Sequence, residues 1–275
     1  MKIDVLLSTM NRKSINDNLQ LLQKMNINGS SITINQCPKF KKDELVFSEN
    51  TNIKNKILSY SEKGLSKSRN RAIKCSNADI CVIADDDLVY VNNYEQIILN
   101  AYKKYPDADI IAFYVSSDNP NNIKPRLKKG KVSRLNSFKI QSVQLSFKTA
   151  TIKEKKIKFD EFFGAGSSFF MGEENIFLSD SIKSKLKIYS YPVEIARLNN
   201  RESTWFQGYN EDYFQVKGAC FYRMSKTFWL LFFLQFVVRK RKEYEKFVSP
   251  IDAFKNMMIG MKKYKNAKLE AKSYE

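Results

Sequence analysis

Three consecutive carboxylates, Asp85-Asp86-Asp87, close the apolar run Ile80-Cys-Val-Ile-Ala84. Clustered carboxylates repel one another unless a proton or a cation neutralises them. Hard oxygen ligands of this kind suit Mg2+ or Mn2+, which take one or two carboxylates and leave their other positions to water and substrate phosphates. A solvated acidic turn, or a helix start where the dipole favours acids, accounts for the same residues. A second acidic pair, Glu173-Glu174, follows the small-residue stretch Gly164-Ala-Gly-Ser-Ser168 and Gly172. Small residues let a ligand or another backbone approach closely, while acids at a helix start are also ordinary capping. The chain contains no histidine, so histidine catalysis, histidine–metal ligation and Ser-His-Asp triads are excluded. Acid–base work falls to Asp, Glu, Lys or Tyr. Cys37, Cys75, Cys81 and Cys220 form no C-x-x-C pair, which points away from a zinc knuckle or a redox motif.

The elements that must position these acids follow from the apolar pattern. The uncharged run before Asp85 reads as a strand buried on both faces, with the acids at its C-terminal end, where open α/β sheets bind ligands. Ile3 to Leu7 reads as a first strand leading through Ser8-Thr9-Met10-Asn11-Arg12 into a helix with Ile15, Leu19, Leu22 and Met25 on one face, ending at Gly29. Ser31 to Ile34 predicts a second strand and Ile53 to Leu58 a third. Gly64 to Ile73 predicts a turn and an amphipathic helix. A helix from Tyr94 to Tyr105 and a strand from Ile110 to Val115 follow. This alternation specifies an α/β protein with a nucleotide-type sheet. Beyond Asn119-Pro120 the spacing predicts an antiparallel strand over Gln144 to Ile152, a helix opened by Glu173-Glu174 and a last strand over Lys187 to Ile195. The polar stretch Asn199 to Thr204 and Trp205-Phe206 come next. Gly164-Ala-Gly166 does not sit in a strand–turn–helix pattern and is not read as a dinucleotide fingerprint.

The net charge of +18 over 275 residues is unevenly placed. Lys124 to Lys158 holds 12 basic residues against one acid, and Arg223 to Glu275 holds 13 against 5, so the remainder is about neutral. Such segments point to anionic partners, or else to a lysine-rich solvated surface. Thr227 to Val238 is almost wholly apolar and is followed by Arg239-Lys-Arg-Lys242. It falls short of the roughly 20 residues needed to span a bilayer, but it suits an interfacial helix. A second apolar face, Ile251, Phe254, Met257, Met258 and Met261, is flanked by lysines. Two ordinary core helices are the alternative. Lys2 runs straight into the first strand without a signal-peptide pattern, which predicts a cytosol-facing protein.

Taken together, Ser8 to Arg12 after the first strand, Gly64-Leu-Ser-Lys-Ser-Arg69-Asn70, Asp85-Asp86-Asp87 as a D-x-D signature, and Gly172-Glu173-Glu174 in place of a Gly-Glu-Asp resemble glycosyltransferase family 2, of the bacterial surface-polysaccharide type. The resemblance covers about residues 1 to 222. It implies a GT-A fold, a Rossmann-like mixed sheet flanked by helices, with a nucleotide-sugar-binding half over 1–118, an acceptor half over 119–222 and a helical, basic, membrane-associating extension over 223–275. It further implies an inverting hexosyl- or N-acetylhexosaminyltransferase that moves a sugar from a nucleotide-diphosphate donor, a UDP-sugar, to a glycan or polyprenyl-diphosphate-linked acceptor in surface polysaccharide synthesis. On this resemblance Asp85 and Asp87 hold Mn2+ or Mg2+, and Asp86, Ser8, Thr9, Arg12, Gln36 and Arg69 lie against the donor. Glu174 takes the catalytic base position, with Glu173 as neighbour or substitute. Its partners are the donor, the acceptor and an anionic membrane surface, with no nucleic acid, and its place is peripheral on the inner face of the cytoplasmic membrane. Two departures are visible: the second strand ends Asn35-Gln36 where many members carry an Asp against uracil, and Arg197 to Thr204 lacks the histidine others place near the metal.

Two other classes compete. Asp85-x-Asp87-x-Val89 after an apolar strand also fits the first motif of haloacid-dehalogenase-like phosphatases, in which the first Asp is the nucleophile. That fold opens with this strand, whereas here about eighty residues precede it. A non-enzymatic RNA-binding protein rests on the basic segments alone, without an aromatic-and-basic RNP-like run.

Overall fold

Neighbouring strands sort their side chains onto two faces, and both faces are buried. In β1 (Ile3–Met10) Val5 and Leu7 enter one core and Leu6 the other; in β5 (Ile80–Asp85) Val82 and Ala84 join the first, Cys81 and Ile83 the second. The double burial expected of the uncharged run is therefore present. These observations come from a computed structural model, which describes residues 1–38, 44–47, 53–117, 124–199 and 208–273.

Between β1 and β5 the chain forms α1 (Ile15–Lys24), β2 (Ser30–Gln36), β3 (Glu44–Phe47), β4 (Lys54–Tyr60) and α2 (Leu65–Cys75). Then come β6 (Leu88–Tyr90), α3 (Tyr94–Lys104), β7 (Ile110–Ser116), β8 (Gly130–Lys131), α4 (Arg134–Ser137), a 3₁₀ turn at Ser142–Gln144, β9 (Leu145–Lys148), α5 (Thr149–Glu154), α6 (Glu173–Lys183) and β10 (Ile188–Leu198). The strands form one mixed sheet in the order β3-β4-β2-β1-β5-β9-β7-β10-β6, with β8 on β10. Strands β4, β2, β1 and β5 are parallel, and the winding direction reverses between β1 and β5. That reversal is a topological switch point, and Ser8 pairs with Asp85 at its C-terminal edge. Strand β9 lies antiparallel between β5 and β7, so the two halves expected from the sequence interleave in one sheet.

Several boundaries differ from the sequence-based expectation. α1 closes at Met25, with Asn26 left-handed at φ 54, rather than at Gly29. Gly29 instead faces α3, where an added Cβ would lie 2.0 Å from Glu95 Oε1. The strand expected over 144–152 stops at Lys148, because its partners on β5 and β7 begin at Ile80 and Ile110. The chain then coils into α5. Of the stretch expected after the last strand, Asn199 donates its backbone N–H to Asp87 O, whereas 200–204 and Trp205-Phe206 lie outside the described residues.

The C-terminal part is helical: α7 (Glu211–Met224), α8 (Trp229–Arg239), α9 (Arg241–Tyr244) and α10 (Pro250–Ser273). The expected boundary at 222/223 falls in the last turn of α7. Phe214, Phe233, Tyr244 and Met257 are fully buried in a third core that these helices share with Phe163, Phe169 and Ile176 of the preceding segment. α7 and α10 touch backbone to backbone. A Cβ at Gly218 would lie 2.0 Å from Met257 O, and one at Gly260 1.8 Å from Gln215 O. Among the described residues no helix is long and apolar enough to cross a membrane. Gly218→Ala and Gly260→Ala must each push α7 and α10 apart and are expected to cost about 1–3 kcal/mol or more, measured as a lower urea midpoint at unchanged slope.

Candidate active site

β5 delivers Asp85, with its carboxylate at 32% exposure, to the switch point. α2, entered through Gly64 at φ 128, brings Arg69 up beneath it. The Arg69 guanidinium has no solvent exposure. One terminal nitrogen donates to Asp85 Oδ1 at 2.9 Å and to Ser142 Oγ at 3.0 Å, and the other donates to Glu173 Oε1 at 2.8 Å. Burial works against the arginine's charge, but the two carboxylates outweigh it and hold its pKa above the ordinary value. The Phe159 ring packs 5.3 Å from the guanidinium carbon.

Asp86 turns the other way. Its Oδ2 accepts from Thr9 Oγ1 at 2.8 Å and from Arg12 at 3.0 Å, and Arg12 Nε also donates to Thr9 Oγ1. The β1–α1 turn is fixed from the side by Asn35, whose amide accepts from Arg12 N and donates to Arg12 O. Ser8 Oγ accepts from Ser68 Oγ at 2.9 Å. Gln36 is buried and donates to Gly64 O at 3.0 Å. The Gly64 turn is in turn clasped by the 163–167 loop, through Leu65 N to Ala165 O and Ser66 Oγ to Phe163 O.

Glu173 and Glu174 form the first turn of α6, entered through left-handed Gly172 at φ 96. A Cβ there would meet Cys220 Sγ of α7 at 2.8 Å. Burial and the charge of Glu173 push Glu174 up to about 8. Burial alone would push Lys217 of α7 down, but Tyr213, Cys220 and both glutamates outweigh it and raise it.

The predicted residues fall into three hydrogen-bonded groups: Asp85 and Glu173 on Arg69, Asp86 with Thr9 and Arg12, and Ser8 with Ser68, with Glu174 beside Glu173 in the first turn of α6. Gln36 joins through Gly64 rather than directly. Arg69 faces the two acids and has no exposed surface. Ser142, Ser68, Asn35 and Lys217 are partners that sequence reasoning missed. Ser68 lies inside a quoted motif, whereas Ser142 and Lys217 carry no local signal. The described residues contain no group of three or more acids and cysteines placed to hold a metal. Asp85 keeps about a third of its carboxylate exposed beside Arg69, so a hard cation there would be one completed by phosphate and water and not one caged by protein alone.

A mixed sheet flanked by helices, with carboxylates at its switch point and a second acid pair across the crevice, defines a group-transfer enzyme of the GT-A class. The sequence profile of "Glycosyl transferase family 2" matches residues 22–176, and the chain belongs to that family and is a glycosyltransferase. No curated protein matches the chain. Among solved structures it is similar to S. aureus TarS, at 17% identity and TM-score 0.56, with 80% of this chain and 39% of that one covered. This chain therefore spans well under half of that TarS chain. The TarS 1–349 structures with UDP (14% identity, TM-score 0.61) and with UDP-GlcNAc (15%, 0.59) are each covered over 97% of this chain and 92% of theirs. These similarities confirm the expected fold.

Replacing Arg69 by Met leaves two buried or half-buried carboxylates without a counter-charge. A loss of about 3–5 kcal/mol is expected, read by chemical denaturation at neutral pH.

Proposed function

We propose that the chain is an inverting glycosyltransferase that moves a hexosyl or N-acetylhexosaminyl group from a UDP-sugar to a hydroxyl of a glycan or polyprenyl-diphosphate-linked glycan. The observation that carries this reading is the Asp85–Arg69–Glu173 bridge, which ties the end of β5 to the start of α6. The UDP and UDP-GlcNAc held by the TarS structures support a uridine donor.

In this reading the diphosphate lies over the Ser8–Arg12 turn, and Asp85 and Asp87 would hold Mn2+ or Mg2+ beside it. Such a cation supplies positive charge against the leaving nucleoside diphosphate. Asp86 keeps Arg12 and Thr9 oriented toward the same oxygens. Arg69, which has no exposed surface, positions Asp85 and Glu173 and does not touch the donor. Glu173 is committed to Arg69, which leaves Glu174 as the base. Glu174 takes the proton of the acceptor hydroxyl as its oxygen bonds to the anomeric carbon and the carbon–phosphate oxygen bond breaks on the opposite side. In this reading the enzyme sits peripherally on the inner face of the cytoplasmic membrane, next to a lipid-linked acceptor, and the basic, apolar C-terminal helices support it.

A donor screen tests the first half of this reading. Wild-type protein with Mn2+ should release UDP from one UDP-sugar, chelation should stop it, and Asp87→Asn should lower it by ~10²-fold with the fold intact by circular dichroism. Release that chelator and Asp87→Asn both leave unchanged would refute the metal-dependent donor site.

The base is tested by pH. A carboxylic acid raised to about 8 is protonated at neutral pH and becomes a competent base only as pH climbs past that value. The rate of transfer should therefore rise with pH through about 8 and then level off. Glu174→Gln should remove that rise and slow turnover by ~10²-fold or more while donor affinity is kept. Glu173→Gln with the larger loss and the same pH profile would reverse the assignment.

A further inference from the structure

α8 is apolar but for Gln235 and Arg239, yet only one side of it is used. Phe233, Phe236 and Val237 pack into the third core. On the opposite side Leu231, Leu234 and Val238, spaced three and four apart, stand 61, 49 and 74% exposed, with Phe228 at 53% beside them. Water on such a stripe is unfavourable, and a helix apolar on every face belongs in a core or against lipid.

The stripe has a neighbour from a distant part of the chain. Phe138 packs its ring edge-on to Phe232 of α8 at 6.2 Å, which sets α4, with Leu135 76% exposed beside Arg134, next to the helix. From there the surface continues into a cavity of about 280 Å³ whose lining includes Lys128, Lys131, Asn136 and Lys139. Arg126 and Lys129 also contribute, and among the described residues no carboxylate lines it. Among the described residues no acid lies within salt-bridge distance of Lys128, Lys131 or Lys139. A cavity walled by like charges, opening beside an apolar stripe, calls for a ligand that brings phosphate and hydrocarbon together. A soluble polyanion would satisfy the lysines and leave the stripe in water, whereas an anionic bilayer satisfies both at once.

We propose that the Arg126–Lys139 cavity is a headgroup site for anionic phospholipid, and that with the outer side of α8 it forms a single membrane-docking surface. The proposal rests on the peripheral-membrane reading above and adds a second contact outside the C-terminal helices. The same segment runs on from Phe138 to Ser142, which accepts a hydrogen bond from Arg69.

Sedimentation of the full chain with vesicles tests it, using phosphatidylcholine alone and phosphatidylcholine with phosphatidylglycerol at low salt. The wild type should prefer the anionic vesicles by at least about tenfold, and the preference should shrink as salt rises. Lys128→Glu/Lys131→Glu/Lys139→Glu should erase that preference while donor hydrolysis and the thermal midpoint stay at wild-type levels. The milder Lys→Gln set should give a partial loss and serves if the reversal fails to fold. Leu231→Ser/Leu234→Ser/Val238→Ser should lose binding to both vesicle types. If the α8 variant is released but the charge variants bind as the wild type does, the membrane reading stands and the headgroup site is overturned. If folded wild type binds neither vesicle, both fall.

Discussion

A guanidinium without solvent must have its charge answered by the protein, and everything around the crevice is arranged to do so. Arg69 is placed where the end of β5 and the start of α6 both present a carboxylate. Each of the three groups alone would be costly to bury; together they offset one another. Because Asp85 and Glu173 belong to distant parts of the chain, this ionic bridge ties the end of β5 to the start of α6. The loop contacts from Leu65 to Ala165 and from Ser66 to Phe163 then follow from the same helix, α2, which carries Arg69 a turn further on.

The parts of this arrangement that were legible in the sequence are those with a local, abrupt change of polarity. Ile80 to Ala84 against Asp85 could be read as a buried strand ending at a ligand site. Ile3 to Leu7 against Ser8 could be read as a strand running into a polar turn, and Gly172 before two acids as a helix start. The switch from strand to helix at Thr149 was not legible, since nothing in that segment marks where β5 and β7 stop offering backbone partners. α7 was missed for a related reason. Gly218 has no side chain to signal periodicity, and its purpose appears only when Met257 of α10 is seen against it. The Arg69 bridge joins residues far apart in the chain, so spacing could name its members but not their pairing.

The C-terminal apolar segment poses a different lesson. Its sequence offers two alternatives, a core helix or an interfacial one, and the folded chain makes use of the first on one side only. Phe233 and Phe236 stabilise the third core, while Leu231 and Val238 add nothing to it. Folding therefore accounts for half of the helix's hydrophobicity. The proposed docking surface would use the other half, with lysines of the 126–139 segment that have no acid beside them among the described residues supplying the charge pattern a membrane surface would complement.

The asymmetry of the two glutamates returns to the buried arginine. Adjacent residues of a helix diverge in direction, so Glu173 can reach Arg69 while Glu174 does not. Holding Glu173 in that ion pair keeps a negative charge beside Glu174, and burial adds to the cost of a second one, which together push Glu174 up to about 8. Arg69 and Lys217 pull in the opposite direction without cancelling it. In the proposed mechanism two chemically identical side chains thereby take different tasks from their surroundings, one holding Arg69, the other exchanging a proton. In the proposed mechanism the interaction that holds the two halves of the crevice together is thus also the one that selects which acid meets the acceptor hydroxyl.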